Sequence, residues 1–232
     1  MEGEMRTLIK TTLLSLLLAG AASVTYAADL IVEPPVMTTP TPASSWDGFY
    51  IGGHLGFGFG LADHQPASPP PGFPNGYDIS INGPIAGGQV GGLFHLNDKF
   101  VGGVQLDGDW ANITGTLATG GAPGTLTYTV NWLATLEGRL GYDAGQFLPY
   151  VAGGIAAAQA TRTSSGTGTS ASATHTGFSI GAGMMMQVTD NLIADVEFRD
   201  QIFGVQSYNT GGIIPKIALN VASVRAGLNF HF

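Results

Sequence analysis

What most limits the fold of this chain is a period-two alternation of apolar and polar residues that outruns an ordinary strand. Over residues 127–142, Tyr128, Val130, Trp132, Ala134, Leu136, Leu140 and Tyr142 share one parity, broken only by Gly138. Thr127, Thr129, Asn131, Thr135, Glu137 and Arg139 hold the other parity, with Leu133 as the exception. Neighbouring side chains of a strand point to opposite faces, so the pattern reads as a strand with one apolar and one polar side. Common strands end after about five or six residues, and this one runs well past that. The C-terminus repeats the pattern, with Ala222, Val224, Ala226, Leu228, Phe230 and Phe232 set against Ser223, Arg225, Gly227, Asn229 and His231. Residues 192–201 and 100–111 alternate in the same way. Four further Gly-rich, aromatic segments at 48–62, 84–95, 147–160 and 176–188 bring the expected strands to eight.

The connections alternate as well. Asn97-Asp98-Lys99, Asp143-Ala144-Gly145 and Thr189-Asp190-Asn191 have the composition of tight turns. Between them lie longer stretches at 63–83, 112–126, 161–175 and 203–216, the third almost wholly Ser, Thr, Gly and Ala. Long and short connections in alternation imply an all-β fold: an eight-stranded antiparallel up-and-down barrel over residues 46–232, with turns on one rim and loops on the other.

Such a barrel floats in water with its apolar parity inward, or sits in a bilayer with that parity facing lipid. Composition decides between them. Only 10% of residues are charged, against roughly 25% in ordinary soluble domains, too few to cover a water-facing wall. Aromatics also gather near strand ends, as membrane girdles do: Phe49, Tyr50, Phe100, Tyr142, Phe147, Phe230 and Phe232 at the turn rim, Trp110 and Tyr128 toward the loops. The net charge of −8, without a Lys/Arg cluster, argues against nucleic acid as a partner. The absence of cysteine excludes disulfides and thiolate chemistry.

The N-terminus is consistent with export. Arg6 and Lys10 precede the apolar run Leu13–Val24, and Thr25-Tyr26-Ala27 supplies a small-residue cleavage site, so residues 1–27 read as a signal peptide. Its acidic Glu2 and Glu4 point to Met5 as the start. Residues 28–45, rich in Pro and Thr, read as an extended tether. The expected location is the outer membrane, with its lipid as the surrounding partner.

In that orientation the polar parity fills the lumen. His54, Gln89, Asp107, Asp109, Asn131, Glu137, Arg139, Asp195, Glu197, Arg199 and Arg225 are expected to point inward as a polar core. Eight strands leave a bore that side chains can fill, which favours a plugged interior over a conducting one. No catalytic, metal or cofactor site is expected. Gly177-Phe178-Ser179-Ile180-Gly181 matches a nucleophile-elbow pattern but lies inside a strand with no helix after it. The five histidines lack metal-ligand spacing. Met184 and Met186 fall on the lipid parity as packing residues.

The segments WDGFYIGGHLGFGFG (46–60), GGQVGGLF (87–94), TDNLIADVEFR (189–199) and VRAGLNFHF (224–232) resemble the small outer-membrane barrels of Gram-negative alphaproteobacteria. These are the opacity-protein-like surface antigens often labelled porin family, similar to the OmpA-type transmembrane domain. The resemblance implies that Phe232 is a C-terminal signal read by the barrel-assembly machinery. It implies a structural, envelope-integrity role with interactions made through the loops at 63–83, 112–126, 161–175 and 203–216. Alternatives left open by the resemblance are a haem- or host-surface-binding barrel and a narrow porin-like channel.

Overall fold

The computed structural model describes residues 46–65, 77–118, 124–209 and 214–232; the expected signal peptide at 1–27 and tether at 28–45 lie outside them. Eight strands follow in chain order: β1 (Gly48–Gln65), β2 (Tyr77–His95), β3 (Phe100–Ala118), β4 (Thr125–Tyr142), β5 (Phe147–Ser164), β6 (Thr169–Thr189), β7 (Leu192–Ser207) and β8 (Lys216–His231). Each pairs antiparallel with the next, and β8 returns to β1, closing the barrel. Phe49 and Phe232 exchange both backbone hydrogen bonds at 2.9 Å, so the seam is paired to the last residue. Closure leaves no free edge, which is what allows strands to stand in lipid.

The strands are 16–21 residues long, far longer than the 9–11 or so that cross a bilayer. The excess lies at the loop end. On β4 the lipid-facing series runs from Tyr142 to Trp132. Ten steps at ~3.3 Å and a tilt of ~45° give a height of ~23 Å, close to the ~25 Å apolar band of outer-membrane barrels. Trp110, 84% exposed, and Phe178 stand on the outer face at the upper limit of that band. Phe49, Phe100, Tyr142, Phe147, Phe230 and Phe232 are exposed at the lower limit.

Above the band the wall reverses its polarity. On the β3–β6 side hydroxyl pairs line the outside, Thr114–Thr129 at 3.1 Å, Thr116–Thr127 at 3.2 Å, Thr161–Ser172 at 2.9 Å and Thr163–Ser170 at 3.3 Å, while on β1 Phe59 and Leu61 still face outward. The inside becomes hydrophobic, with Ile79, Ile81, Ile113, Leu126, Val130, Leu219 and Val221 in one buried cluster. The upper part of the molecule is therefore built as a water-soluble barrel, and the lower part as a membrane barrel.

Several sequence expectations change in this zone. The Ser/Thr-rich stretch 161–175 is not a loop; β5 and β6 run through it and turn at residues 165–168. Its period-two order explains why, since hydroxyls face outward while Ala171, Ala173 and His175 face in. The other long connections also shrink, to 66–76, 119–124 and 208–215. Tyr128 is not a girdle residue: it is fully buried inside, as is Tyr50 at the other end. Asn131 does not belong to the lumen. A bulge between Val130 and Trp132 shifts the phase of β4, and the Asn131 amide donates to Thr161 Oγ1 at 2.7 Å on the outer wall.

At the turn rim the chain closes its own base. Trp46 is fully buried and its indole donates to the Gly145 carbonyl at 3.0 Å. Asp47 Oδ1 accepts from the His95 backbone N–H at 2.6 Å and lies 3.0 Å from His95 Nδ1, while His95 Nε2 lies 3.0 Å from Asp143 Oδ2. This triad sits beyond the apolar band and pins the entry to β1 to two turns. The hydrogen bond from Asp143, supported by Asp47, raises the imidazole above its ordinary value.

Two outcomes follow from this architecture. In urea unfolding from lipid vesicles, Leu136→Arg, inside the band, should cost about 2–4 kcal/mol, whereas Thr127→Arg, equally outward but above it, should be near neutral. Equal losses would place both residues in the same environment and remove the reversal of polarity. For the rim triad, a raised folded pKa means that His95 stabilises fully below its unfolded value of about 6.5 and loses that contribution as pH rises through the folded value. The urea midpoint should thus fall as pH rises above about 6.5, and His95→Gln should flatten that part of the profile.

Candidate functional site

The middle of the lumen is a closed ionic layer. It forms because inward positions of five strands carry ionisable groups at one level: Asp107 and Asp109 on β3, Glu137 and Arg139 on β4, Asp195, Glu197 and Arg199 on β7, Arg225 on β8 and His54 on β1. All are at least nine-tenths buried. Lipid excludes charge from the outer face, so the interior is where these residues can stand.

Glu197 is the hub. It meets all three guanidiniums: Arg139 Nη2 at 2.5 Å, Arg199 Nε at 2.7 Å and Arg225 Nη2 at 3.1 Å. It also accepts from the Tyr150 hydroxyl at 2.7 Å. Arg199 spans the layer, reaching Asp107 through two bonds of 2.8 and 3.0 Å and Glu137 at 2.9 Å. Arg139 binds Glu137 at 2.9 Å and lies 4.5 Å from the centre of the Tyr150 ring. Arg225 adds Asp107 at 3.0 Å and Asp109 at 3.6 Å.

Five carboxylates and three guanidiniums cannot pair one to one, and the surplus is handled by neutral groups. Asp195 accepts from Gln89 at 3.0 Å and Asn229 at 2.6 Å. Gln89 spends its amide nitrogen on Asp195 and Asn229, which turns its carbonyl to His54 Nδ1 at 3.0 Å. The other ring nitrogen of His54 is hydrogen-bonded to Asp109. Of the eleven residues expected in the polar core, ten meet here, and Asn131 alone stands elsewhere.

Sequence reasoning passed over the neutral members of the layer. Gln105, Thr135, Gln201, Ser223 and Asn229 are all buried at the same level. Their signal was parity, which they share with the charged residues. Tyr50 and Tyr150 were harder to foresee, because their rings pack below the layer and only their hydroxyls enter it, Tyr50 donating to Gln105 at 2.7 Å. Each is accommodated by a glycine. A Cβ on Gly91 would come within 2.3 Å of the Tyr50 hydroxyl, and one on Gly183 within 2.6 Å of that of Tyr150.

The layer is capped on both sides. Trp46, Leu93, Val101, Leu148, Met185 and Ile193 cluster below it, and the larger hydrophobic cluster fills the bore above. Among the described residues no group of three or more His, Cys, Asp or Glu is arranged to hold a metal ion. Chemically the layer is a network of buried ion pairs between two largely apolar plugs, with Glu137 Oε2 and Arg225 Nε left without a hydrogen-bond partner.

Comparison with known proteins assigns the fold to a family. Residues 13–232 match the outer membrane protein beta-barrel domain. The chain belongs to that family. It is an outer-membrane β-barrel protein. Its relatives include the 25 kDa outer-membrane immunogenic protein of Brucella abortus, 28% identical over 98% of this chain and 100% of the relative. The 22 kDa outer membrane protein of Rhizobium leguminosarum is 27% identical over 82% of this chain and 80% of its own. Among solved structures, OprG of Pseudomonas aeruginosa superposes with a TM-score of 0.52 at 14% identity, covering 82% of this chain and 98% of that one, which speaks to the fold alone.

Removing a guanidinium from this layer leaves buried carboxylates without a partner. Arg199→Ala should therefore lower unfolding stability in vesicles by about 3–5 kcal/mol. Replacing the same charge at Lys99, in an exposed turn, should move it by under about 0.5 kcal/mol.

Proposed function

We propose that the protein is a structural surface barrel of the outer membrane that carries no steady ion current, stabilises the envelope, and makes its external contacts through the loop end. The observation that supports this reading most is the stacking of a buried, cross-linked ionic layer between two largely apolar plugs. An ion crossing the bore would have to break several buried ion pairs and then shed its water twice, each step costing several kcal/mol.

The protruding cylinder supports the second half of the reading. Its upper wall, hydroxyl-covered on the β3–β6 side, lifts the loops ~15 Å above the apolar band, for six or seven residues per strand at ~3.3 Å and ~45°. The connections at 66–76, 119–124, 165–168 and 208–215 are then the surfaces on which an external partner would land. Phe232 presents its ring outward at the seam, 64% exposed, where the assembly machinery could read it.

Planar-bilayer recording of the refolded mature barrel tests the reading. No steady conductance is expected from wild type, and Arg139→Ala should lower thermal stability. A steady, ion-selective current that disappears in Arg139→Ala with thermal stability unchanged would overturn it and favour the narrow channel.

A further inference from the structure

Inside the loop end of the barrel, well above the ionic layer, a second group of polar side chains faces inward. It consists of His64 at the end of β1, Tyr77 opening β2, Tyr128 on β4 and Arg162 on β5, with His175 and Tyr208 beneath. Register explains the grouping, since His64 pairs with Tyr77 and Tyr128 with Arg162. The His64 and Tyr77 rings stack at 4.4 Å, and the Arg162 charge lies close enough to act on both of them.

Two histidines at this end are equally buried and differently treated. His175 is saturated: its Nδ1 lies 3.0 Å from the Gly204 carbonyl and its Nε2 2.8 Å from the Tyr208 hydroxyl. His64, only 5% exposed, has no partner at either ring nitrogen. The Tyr128 hydroxyl, in a residue 2% exposed, and Arg162 Nε are also unpartnered. Buried polar groups in a folded protein ordinarily find partners, and here three from three strands lack them together. Arg162 is the one arginine of the barrel outside the ionic layer, and it makes no ion pair among the described residues. No carboxylate shares the inward parity at this level there; Asp63 and Asp78 lie on the outward one. Burial, and after it the Arg162 charge, push His64 down to about 4, so the ring is a neutral donor and acceptor at pH 7.

We infer that this cluster is a binding site for a small organic anion, a monocarboxylate on an aromatic or apolar body. The guanidinium edge of Arg162 supplies the charge and a directed N–H, the Tyr128 hydroxyl and the His64 ring supply further hydrogen bonds, and Tyr77 with the surrounding Ile79 and Ile217 provides an apolar wall. The inference goes beyond the structural reading and is independent of conduction, because the site lies in the upper part of the bore, above the ionic layer.

Calorimetric titration of the refolded, full mature barrel with benzoate tests it, with benzamide as the uncharged probe of the same shape. Benzoate should bind saturably, and benzamide at least about tenfold more weakly, the worth of one charge-assisted hydrogen bond. Arg162→Gln should weaken benzoate to the benzamide level and Tyr128→Phe should weaken it several-fold, whereas Lys216→Gln, an exposed base at the same end, should leave it unchanged. Each variant is first shown to be folded by its faster migration unboiled than boiled. The inference is overturned by an absence of saturable benzoate binding, by equal affinity for benzamide, or by an equal loss in Lys216→Gln.

Discussion

Everything in this barrel is arranged around the cost of burying Glu197. A carboxylate in a dry interior is expensive unless its oxygens are fully occupied, and Glu197 is occupied by three guanidiniums and a tyrosine hydroxyl. Those partners come from β4, β5, β7 and β8, so the hub can be satisfied only when distant strands are already in register. A slip of one residue in β4, β7 or β8 would turn its arginine toward lipid, where a guanidinium near the midplane costs about 2–4 kcal/mol. The ionic layer thus contributes less as a source of net stability than as a lock on register, since misregistered barrels lose the pairing and expose the charge at once. Tyr50 and Tyr150 tie the lower plug to the same lock through Gln105 and Glu197.

The second organising fact is the change of solvent along the strands. Below the level of Trp110 the outer face sees hydrocarbon and above it water, and the same backbone ladder serves both. What changes is the side-chain inventory. On β3 to β6 outward residues go from Leu, Val and Phe to Thr and Ser, and around the barrel inward ones go from Asp, Glu and Arg to Ile, Val and Ala. The upper core then holds by apolar burial, the lower one by ion pairing. Continuous hydrogen bonding across the boundary keeps the two zones one rigid object.

How much of this was readable in the sequence depended on which zone was being read. The charged residues of the lower half were legible, because lipid outside and charge inside produce the alternation directly; Asp195, Glu197 and Arg199 against Val196 and Phe198 need no structure to interpret. In β2 the inversion left a visible trace: Ile79 and Ile81 stand on the parity of Gln89, and Asp78 and Ser80 on that of Val90. The strand was nonetheless expected to begin only at 84, so the trace fell in a supposed loop. In β4 the trace was erased. The bulge at Asn131 moves the phase by one residue at the same height where inside and outside exchange polarity, and the two shifts cancel. Apolar parity therefore continues unbroken through Trp132, Val130 and Tyr128 although the first faces out and the others face in. Leu133, the apparent exception, was the one residue marking the boundary. The cluster around His64 left no trace, because its members come singly from four strands that only closure brings together.

Separating the two cores has a consequence for how such a protein can vary. The ionic lock draws its residues from within the band, and none of its partners lies above Trp110. Substitutions among the loops, or in the Thr and Ser of the protruding wall, leave it untouched. The upper hydrophobic core, in turn, gives each loop a stiff base of paired strands, with turns as short as 165–168 where the strands run longest. Loop conformation is then decoupled from the ionic layer: the lower cylinder holds register, and the upper one holds the loops. A barrel whose strands ended at the headgroups would have to anchor its loops directly on the ionic layer, and every change at the surface would be felt at Glu197.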